Sequence, residues 1–259
     1  MEFNQQGVHL RKISGLSKGC LTGATGLIKS LNFHTEIKLA CEPLLLGHPT
    51  SPSLGVVLKG GAASLEWAGG AGTLQRWTWF YLPAGYEATL NPRKSTLSVL
   101  LTQPIKLDPA MLEAAQQGEP VLAPIEVLKV IRKEGRITYN AAGDGCPIDR
   151  PFFMASFCIY DQAYGSMPQH VHTDQEECML VITASGSQPA FCFSKHSVEL
   201  QNETLIHVFP GDYHGFTPPA DGKIAIVALY QVPASNAGVK MEAMSSDDIS
   251  LWNAVAGGQ

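Results

Sequence analysis

The segment PQHVHTDQEECMLVI, residues 168–182, contains two histidines one residue apart, two adjacent glutamates and an apolar run. Alternate side chains of a strand lie on one face, so His170 and His172 are expected to project the same way. An acid four or five residues further on, Glu176 or Glu177, would complete a set of two nitrogen ligands and one oxygen ligand. The segment therefore indicates either a loop that leads into a buried strand or part of a metal site.

A second segment supports the metal interpretation. The corner PGDYH, residues 210–214, follows an apolar strand, and its tight turn could return His214 to the face of the two earlier histidines. Three imidazoles and one carboxylate suit zinc, iron, manganese, nickel or cobalt and leave coordination positions free for a substrate.

Short segments rich in β-branched and aromatic residues run through the whole chain, and they predict an all-β protein. A corner with proline and glycine occurs late in each half, in FYLPAGYEATLNP and in HVFPGDYHGFTPP, which favours two tandem β units over one large sandwich. We expect a metal-free domain over residues 1–104, a helical linker over 105–124, a metal-binding domain over 125–240 and a helical tail over 241–259.

The composition narrows the partners and the location. Charged residues make up 16% of the 259 residues and the formal net charge is −5, so neither nucleic acid nor a membrane surface is expected as a partner. We expect a small-molecule substrate and a homo-oligomer. Because no stretch resembles a signal peptide or a membrane span, and the six cysteines form no CxxC pair, the sequence predicts a cytoplasmic protein with reduced thiols.

The two histidine segments resemble the motifs of the cupins: GSMPQHVHTDQEECMLVITASG is similar to the first motif, and FPGDYHGF to the second. The resemblance implies tandem double-stranded β-helix, or jelly-roll, domains. It also implies a set of four metal ligands, namely His170, His172, Glu177 and His214.

The spacing departs from the cupin pattern at several points. Gly165 lies one residue closer to the first histidine than in the family, and Pro210 and Gly211 are adjacent where the family has a residue between them. Cupins tolerate either glutamate spacing, which leaves Glu176 as an alternative ligand. We prefer Glu177 because the strand follows it directly.

The layout of two cupin domains with ligands only in the second resembles the uronate isomerases, 5-keto-4-deoxyuronate isomerase and 5-deoxyglucuronate isomerase. The segment MPQHVHTDQEE and an upstream RxxxN, Arg136 to Asn140, carry this resemblance, although the aromatic-rich insertions of the second enzyme are missing. It implies an aldose–ketose isomerase for a deoxyuronate-type sugar acid with one divalent metal ion, zinc being preferred to iron, manganese or nickel. An iron or nickel dioxygenase and a non-catalytic small-molecule-binding cupin are the alternatives.

The first half lacks the metal motif. No HxH precedes PAGYEA, His48 stands alone, and either Ala88 or Glu87 takes the place of the third histidine, depending on the alignment of the corner. We therefore expect a metal-free scaffold whose inward face is lined by apolar residues such as Trp77 and Trp79, which occupy alternate positions.

Other polar residues are candidates for supporting roles. Glu176 and Tyr213 are weak candidates for the catalytic group, and Asp174 could hold a ligand imidazole. For His207 a hydrogen-bonded core or surface position is preferred to a place in the cavity. Arg136 could hold a substrate carboxylate through its planar fork, although a structural salt bridge is preferred.

Overall fold

The structure is a computed structural model of the chain. It describes residues 2–5, 8–12, 23–29, 33–93, 96–104, 107, 109–165, 169–173, 175–231 and 239–257. The chain divides into two compact units, a first unit of residues 15–125 and a second unit of residues 1–14 and 126–259. Among the described residues, no helix is both long enough and apolar enough to cross a membrane.

The described residues form strands and two short α-helices. The first strands are β1 (Glu2–Gln5), β2 (Val8–Lys12), β3 (Gly23–Lys29), β4 (Phe33–Ala40), β5 (Leu44–Gly47), β6 (Ser53–Lys59), β7 (Ala63–Trp67), β8 (Gly70–Leu74), β9 (Trp79–Leu82), β10 (Glu87–Pro92) and β11 (Leu97–Pro104), followed by α1 (Pro109–Ala115) and β12 (Val121–Ala123). The remaining elements are β13 (Lys129–Lys133), β14 (Arg136–Ala142), β15 (Phe153–Tyr160), β16 (Glu177–Ala184), β17 (Ala190–Phe193), β18 (His196–Glu199), β19 (Thr204–Val208), β20 (His214–Thr217), β21 (Ile224–Gln231), β22 (Glu242–Ala243) and α2 (Ser246–Ala256).

The first unit contains two antiparallel sheets. A six-stranded sheet has the order β12-β9-β6-β11-β4-β3, and a four-stranded sheet has the order β5-β10-β7-β8. Leu46 and Ala88 of the smaller sheet share one apolar core with Phe80 and Leu82 of the larger sheet. Burial of this shared core between the two sheets is the main stabilising term.

The second unit repeats this arrangement. A nine-stranded sheet has the order β1-β2-β19-β16-β21-β15-β14-β13-β22, and a three-stranded sheet has the order β18-β17-β20. Tyr160 and Met179 of the larger sheet pack in one core with Phe191 and Phe216 of the smaller sheet. The central strands read as near-continuous apolar runs because both of their faces are buried.

The prediction of an all-β chain with a short helix between two β units and a second helix near the end is confirmed. The units differ from the predicted boundaries in two places. Strands β1 and β2 join the sheet of the second unit through pairing of β2 with β19, and β12, expected in the linker, pairs with β9 of the first unit. The prediction of reduced thiols holds at Cys146, Cys158, Cys178 and Cys192 but is wrong at Cys41, which is disulfide-bonded.

Candidate metal site

Backbone pairing brings the two histidine segments of the second unit together. The amide of His170 donates to the carbonyl oxygen of His214 at 2.9 Å, and the amide of His214 donates to the carbonyl oxygen of His170 at 2.8 Å. The amide of Gly211 donates to the carbonyl oxygen of His172 at 2.8 Å. Gly211 has a φ of +88°, a left-handed conformation that glycine adopts without strain and that lets the corner reverse before β20.

The side chains converge as the backbone does. One ring nitrogen from each of His170, His172 and His214 lies within 4.8 Å of the other two. The Oε2 atom of Glu177 lies 2.8 Å from Nε2 of His214 and 3.7 Å from Nε2 of His172. The structure thus brings all four residues predicted as metal ligands into one cluster.

The structure separates the two adjacent glutamates. Glu177 opens β16 beside the histidine cluster, and its neighbour on the same face, Met179, belongs to the inner core. Glu176 points to the opposite face, where its carboxylate accepts a hydrogen bond from Nε2 of His207. Glu177, and not Glu176, therefore lies with the histidines.

His170 has the features of a metal ligand. Both of its ring nitrogens are buried and have no hydrogen-bond partner among the described residues, an arrangement that is rare for buried polar atoms. Burial, followed by the charge of His214, lowers its pKa to about 4. The imidazole is therefore neutral near pH 7, and its lone pair is available to a cation.

His214 is oriented by its second ring nitrogen. Its Nδ1 lies 3.0 Å from the carbonyl oxygen of Asp212, which can only accept, so Nδ1 carries the proton and Nε2 is the nitrogen available for binding. Burial is the largest single influence and lowers the pKa of His214. In the protonated form Nε2 also donates to Glu177, and this hydrogen bond, the charge of Glu177 and the hydrogen bond to Asp212 together outweigh burial, so the net shift of the pKa is upward. The carboxylate and this imidazole therefore attract either a proton or a cation. The set of three imidazoles and one carboxylate fits zinc and the other divalent transition metals.

A positive charge lies beside this cluster. Arg136 and Tyr160 are directly opposite each other on β14 and β15, and Nη1 of Arg136 donates to the Tyr160 hydroxyl at 3.3 Å. Burial is the main cause that lowers the pKa of His170, and the charge of Arg136 makes a minor contribution in the same direction; at His214 the same charge opposes the upward shift of the pKa. An anionic group bound near the metal ligands would be stabilised by this charge.

Tyr160 and Cys158 were missed from the sequence. Both are fully buried in the inner core, and burial raises the pKa of each side chain, so both are neutral near pH 7. The sequence did contain a signal for these two residues, because they are two positions apart in β15 and so lie on the same face of the strand. The strand is apolar throughout, however, so its inward face is identified only in the structure, where Tyr160 lies in the core and pairs with Arg136.

The structure describes two of the remaining candidates, Tyr213 and His207. Tyr213 is 54% exposed. His207 is buried against Phe209, with ring centroids 4.5 Å apart, on the face that carries Glu176. Asp174 lies outside the described residues.

The first unit has the same corner with different side chains. Leu46 pairs with Ala88, as His170 pairs with His214, and the amide of Gly85 donates to the carbonyl oxygen of His48 at 2.9 Å, as Gly211 does to His172. Ser53 opens β6 and pairs with Leu82, as Glu177 opens β16 and pairs with Val208. The residues that correspond to His170, His172, Glu177 and His214 are therefore Leu46, His48, Ser53 and Ala88.

One expectation for the first unit is wrong. Its inner core contains Phe80 and Leu82 of β9, and not Trp77 and Trp79. Trp77 precedes the strand with a φ of +68°, so the alternation of a regular strand does not reach it. Trp79 is buried on the other face of β9, because Phe80 and Leu82 occupy the inward positions.

No protein-family model and no curated protein matches the chain. Among solved structures, protein YlbA from E. coli superposes with a TM-score of 0.65 at 13% identity, covering 90% of this chain and 95% of that chain. An IolB-like protein from Salmonella typhimurium LT2 superposes with a TM-score of 0.65 at 14% identity, covering 91% of this chain and 96% of that chain. Oxalate decarboxylase from Lactobacillus farciminis superposes with a TM-score of 0.64 at 10% identity, covering 91% of this chain and 88% of that chain. With these structures the chain shares the cupin fold, in two tandem domains.

Proposed function

We propose that the protein is a metal-dependent aldose–ketose isomerase that acts on a deoxyuronate-type sugar acid. The observation that supports this best is the position of Arg136, which donates a hydrogen bond to Tyr160 of the inner core. Tyr160 in turn packs on Phe216, two residues from His214, with ring centroids 4.5 Å apart. A substrate with both a carboxylate and a carbonyl would match a cation site beside a fixed guanidinium. The resemblance of the histidine segments to those of the uronate isomerases supports the same class.

Four residues would hold the ion, namely His170, His172, Glu177 and His214. We propose zinc, since three imidazoles and one carboxylate suit it and isomerisation needs no change of oxidation state. When bound, the ion would supply Lewis-acid chemistry, which polarises a carbonyl group.

The chain's own residues would position the sugar acid. The planar fork of Arg136 can hold a carboxylate through two parallel hydrogen bonds. Since Arg136 already donates to the Tyr160 oxygen, the phenolic proton of Tyr160 stays available for donation to a substrate oxygen. That proton is retained near pH 7, because burial raises the pKa of Tyr160. Phe191 and Phe216 line the same core and exclude water from it.

The test is an assay of protein purified without chelators, with 5-keto-4-deoxyuronate and 5-deoxyglucuronate as substrates and an oxygen electrode in the reaction. We expect one of the two sugar acids to be isomerised without oxygen uptake. The activity should disappear after chelation and return with zinc. Oxygen uptake by an iron- or nickel-loaded sample would instead indicate a dioxygenase, and metal binding without turnover of either sugar acid would indicate a binding protein.

A further inference from the structure

We propose that His207 is a positioning residue that determines which of two adjacent glutamates becomes the metal ligand. The proposal rests on the metal site of the proposed function, but it does not depend on the reaction that the site catalyses. It concerns a buried pair, Glu176 and His207, that has no place in the metal cluster itself.

Each of the two glutamates has its own histidine. Glu177 contacts Nε2 of His214 at 2.8 Å, and Glu176 contacts Nε2 of His207. Both histidines flank the same corner, because His207 lies in β19 before it and His214 begins β20 after it. All four side chains are at most 2% exposed. The corner therefore supplies one imidazole to each face of the larger sheet.

The strand register explains why the two pairs do not mix. Cys178 lies directly opposite His207, and Glu177 directly opposite Val208. Val208 belongs to the inner core, so His207 points to the other face, as does Glu176, one residue before Glu177. The outward face therefore holds a carboxylate–imidazole pair behind the metal cluster.

The two glutamates are chemically equivalent, and a metal ion would accept either carboxylate. A slip of one residue at the start of β16 exchanges the two faces and would place Glu176 in the cluster and Glu177 behind it. Apolar residues further along β16 and the pairing of Glu177 with Val208 and Tyr230 oppose such a slip. Glu177 is the first residue of the strand, however, and Glu176 precedes it, so the strand pairing itself does not hold Glu176. The hydrogen bond between His207 and Glu176 is specific to the observed register, because only this register brings the two side chains together.

The experiment compares Zn²⁺ binding by calorimetric titration in wild type, Glu177→Gln, His207→Gln and the His207→Gln/Glu177→Gln double variant. His196→Gln, which changes an exposed histidine of the same unit, is the matched control. We expect His207→Gln to weaken Zn²⁺ binding about tenfold, as removal of an orienting partner typically does. We expect Glu177→Gln to weaken binding much less in the His207→Gln background than in wild type, because Glu176 can then take its place. An equal loss in the two backgrounds would overturn the proposal.

A second variant keeps the test decisive if His207→Gln does not fold. In the Glu176→Gln/His207→Gln variant the competing carboxylate is gone, and two amides can still form a hydrogen bond. We expect its Zn²⁺ affinity to lie within about twofold of wild type, and an affinity as low as that expected for His207→Gln, about tenfold weaker, would overturn the proposal. Zn²⁺ binding by wild type without isomerase activity would refute the proposed function only, whereas no Zn²⁺ binding at all would refute both.

Discussion

At the scale of single residues, His170 shows how burial prepares a side chain for a ligand. Both ring nitrogens are buried without a hydrogen-bond partner among the described residues, which costs folding free energy when no ion is bound. Leu46, the corresponding residue of the first unit, carries no such cost and is 2% exposed in an apolar core. At corresponding positions of the two units, therefore, one side chain is an unsatisfied imidazole and the other packs in an apolar core.

This comparison predicts the effect of His170→Leu. The substitution should abolish Zn²⁺ binding but raise the free energy of unfolding of the metal-free protein by about 1 kcal/mol, since a buried polar group without a partner is removed. The measurement is urea unfolding in the presence of a chelator. A metal-free variant that is less stable than metal-free wild type by a similar amount would contradict this reading of His170.

The same variant gives a pH prediction. The pKa of His170 falls from 6.5 to about 4 on folding, so between these values the unfolded state binds a proton that the folded state does not. Metal-free wild type should therefore lose stability relative to His170→Leu as the pH falls from 6.5 to 4. Urea unfolding across this range tests the sign, and a constant difference between the two proteins would show that the pKa is not lowered.

Arg136 is the subject of a third prediction at this scale. Arg136→Lys keeps the positive charge but loses the planar fork, so KM for the sugar acid should rise about tenfold while Zn²⁺ affinity changes little. Arg93→Lys, at an exposed arginine of the first unit, is the control and should leave KM unchanged. An unchanged KM in Arg136→Lys would remove the carboxylate-binding role.

The sequence was informative about the metal cluster and uninformative about its surroundings. His170, His172 and His214 follow from local spacing and one tight turn. The choice between Glu176 and Glu177 stayed open, because both spacings are compatible with a strand. Which glutamate lies beside the histidine cluster depends on contacts made far along the chain, with His207 and His214.

At the scale of elements, α2 shows how a short helix is held on the outer face of a sheet. Ser245 and Asp248 form a capping box, and Nη2 of Arg132 in β13 donates to Asp248 at 2.7 Å. Trp252 is fully buried and stacks on Phe157 with ring centroids 4.5 Å apart. The capping box of Ser245 and Asp248 determines where the helix begins. The contact of the Trp252 indole with Phe157 holds the helix against β15.

We predict that Asp248→Asn destabilises the protein by about 1 to 2 kcal/mol at pH 7, because the cap and the charged hydrogen bond are both weakened. Burial raises the pKa of Asp248, but the hydrogen bonds from Ser245 and Arg132 outweigh burial and lower it overall. The stability that this carboxylate contributes is therefore fully present above pH 3.8, the ordinary pKa of an aspartate. It is lost as the pH falls through the lower pKa of the folded state. Urea unfolding at pH 7 and at pH 3 tests this, and an equal difference at both pH values would contradict it.

Not every element could be placed from the sequence. The helix of the predicted linker, which begins at Pro109, could be placed because a proline in the first helical turn and a glycine after the last are local signals. The hairpin of β1 and β2 and the strand β12 lie at the edges of the two large sheets, and pairing with a strand far along the chain leaves little trace in such short segments. The two departures from the predicted boundaries both occur at such edges.

At the scale of the whole molecule, each of the two units contains a corner with the same backbone pairing, but the side chains at the two corners differ. If the backbone alone sets the geometry, the triple variant Leu46→His/Ser53→Glu/Ala88→His should bind a second Zn²⁺ ion with the help of His48. The control replaces Leu46→His with Leu45→His, since Leu45 is 59% exposed on the other face of β5. A folded triple variant with only one ion per chain would show that the corner of the first unit differs in more than its side chains.

The most direct test of the account is the zinc content of protein purified without chelators, measured by elemental analysis for wild type and for His214→Ala. We predict one ion per chain in wild type and none in His214→Ala, with both proteins folded by circular dichroism. This outcome is expected because one missing ligand leaves the apolar core of the second unit in place. Wild type without metal, or a His214→Ala variant that retains a full ion per chain, would contradict the assignment of the site.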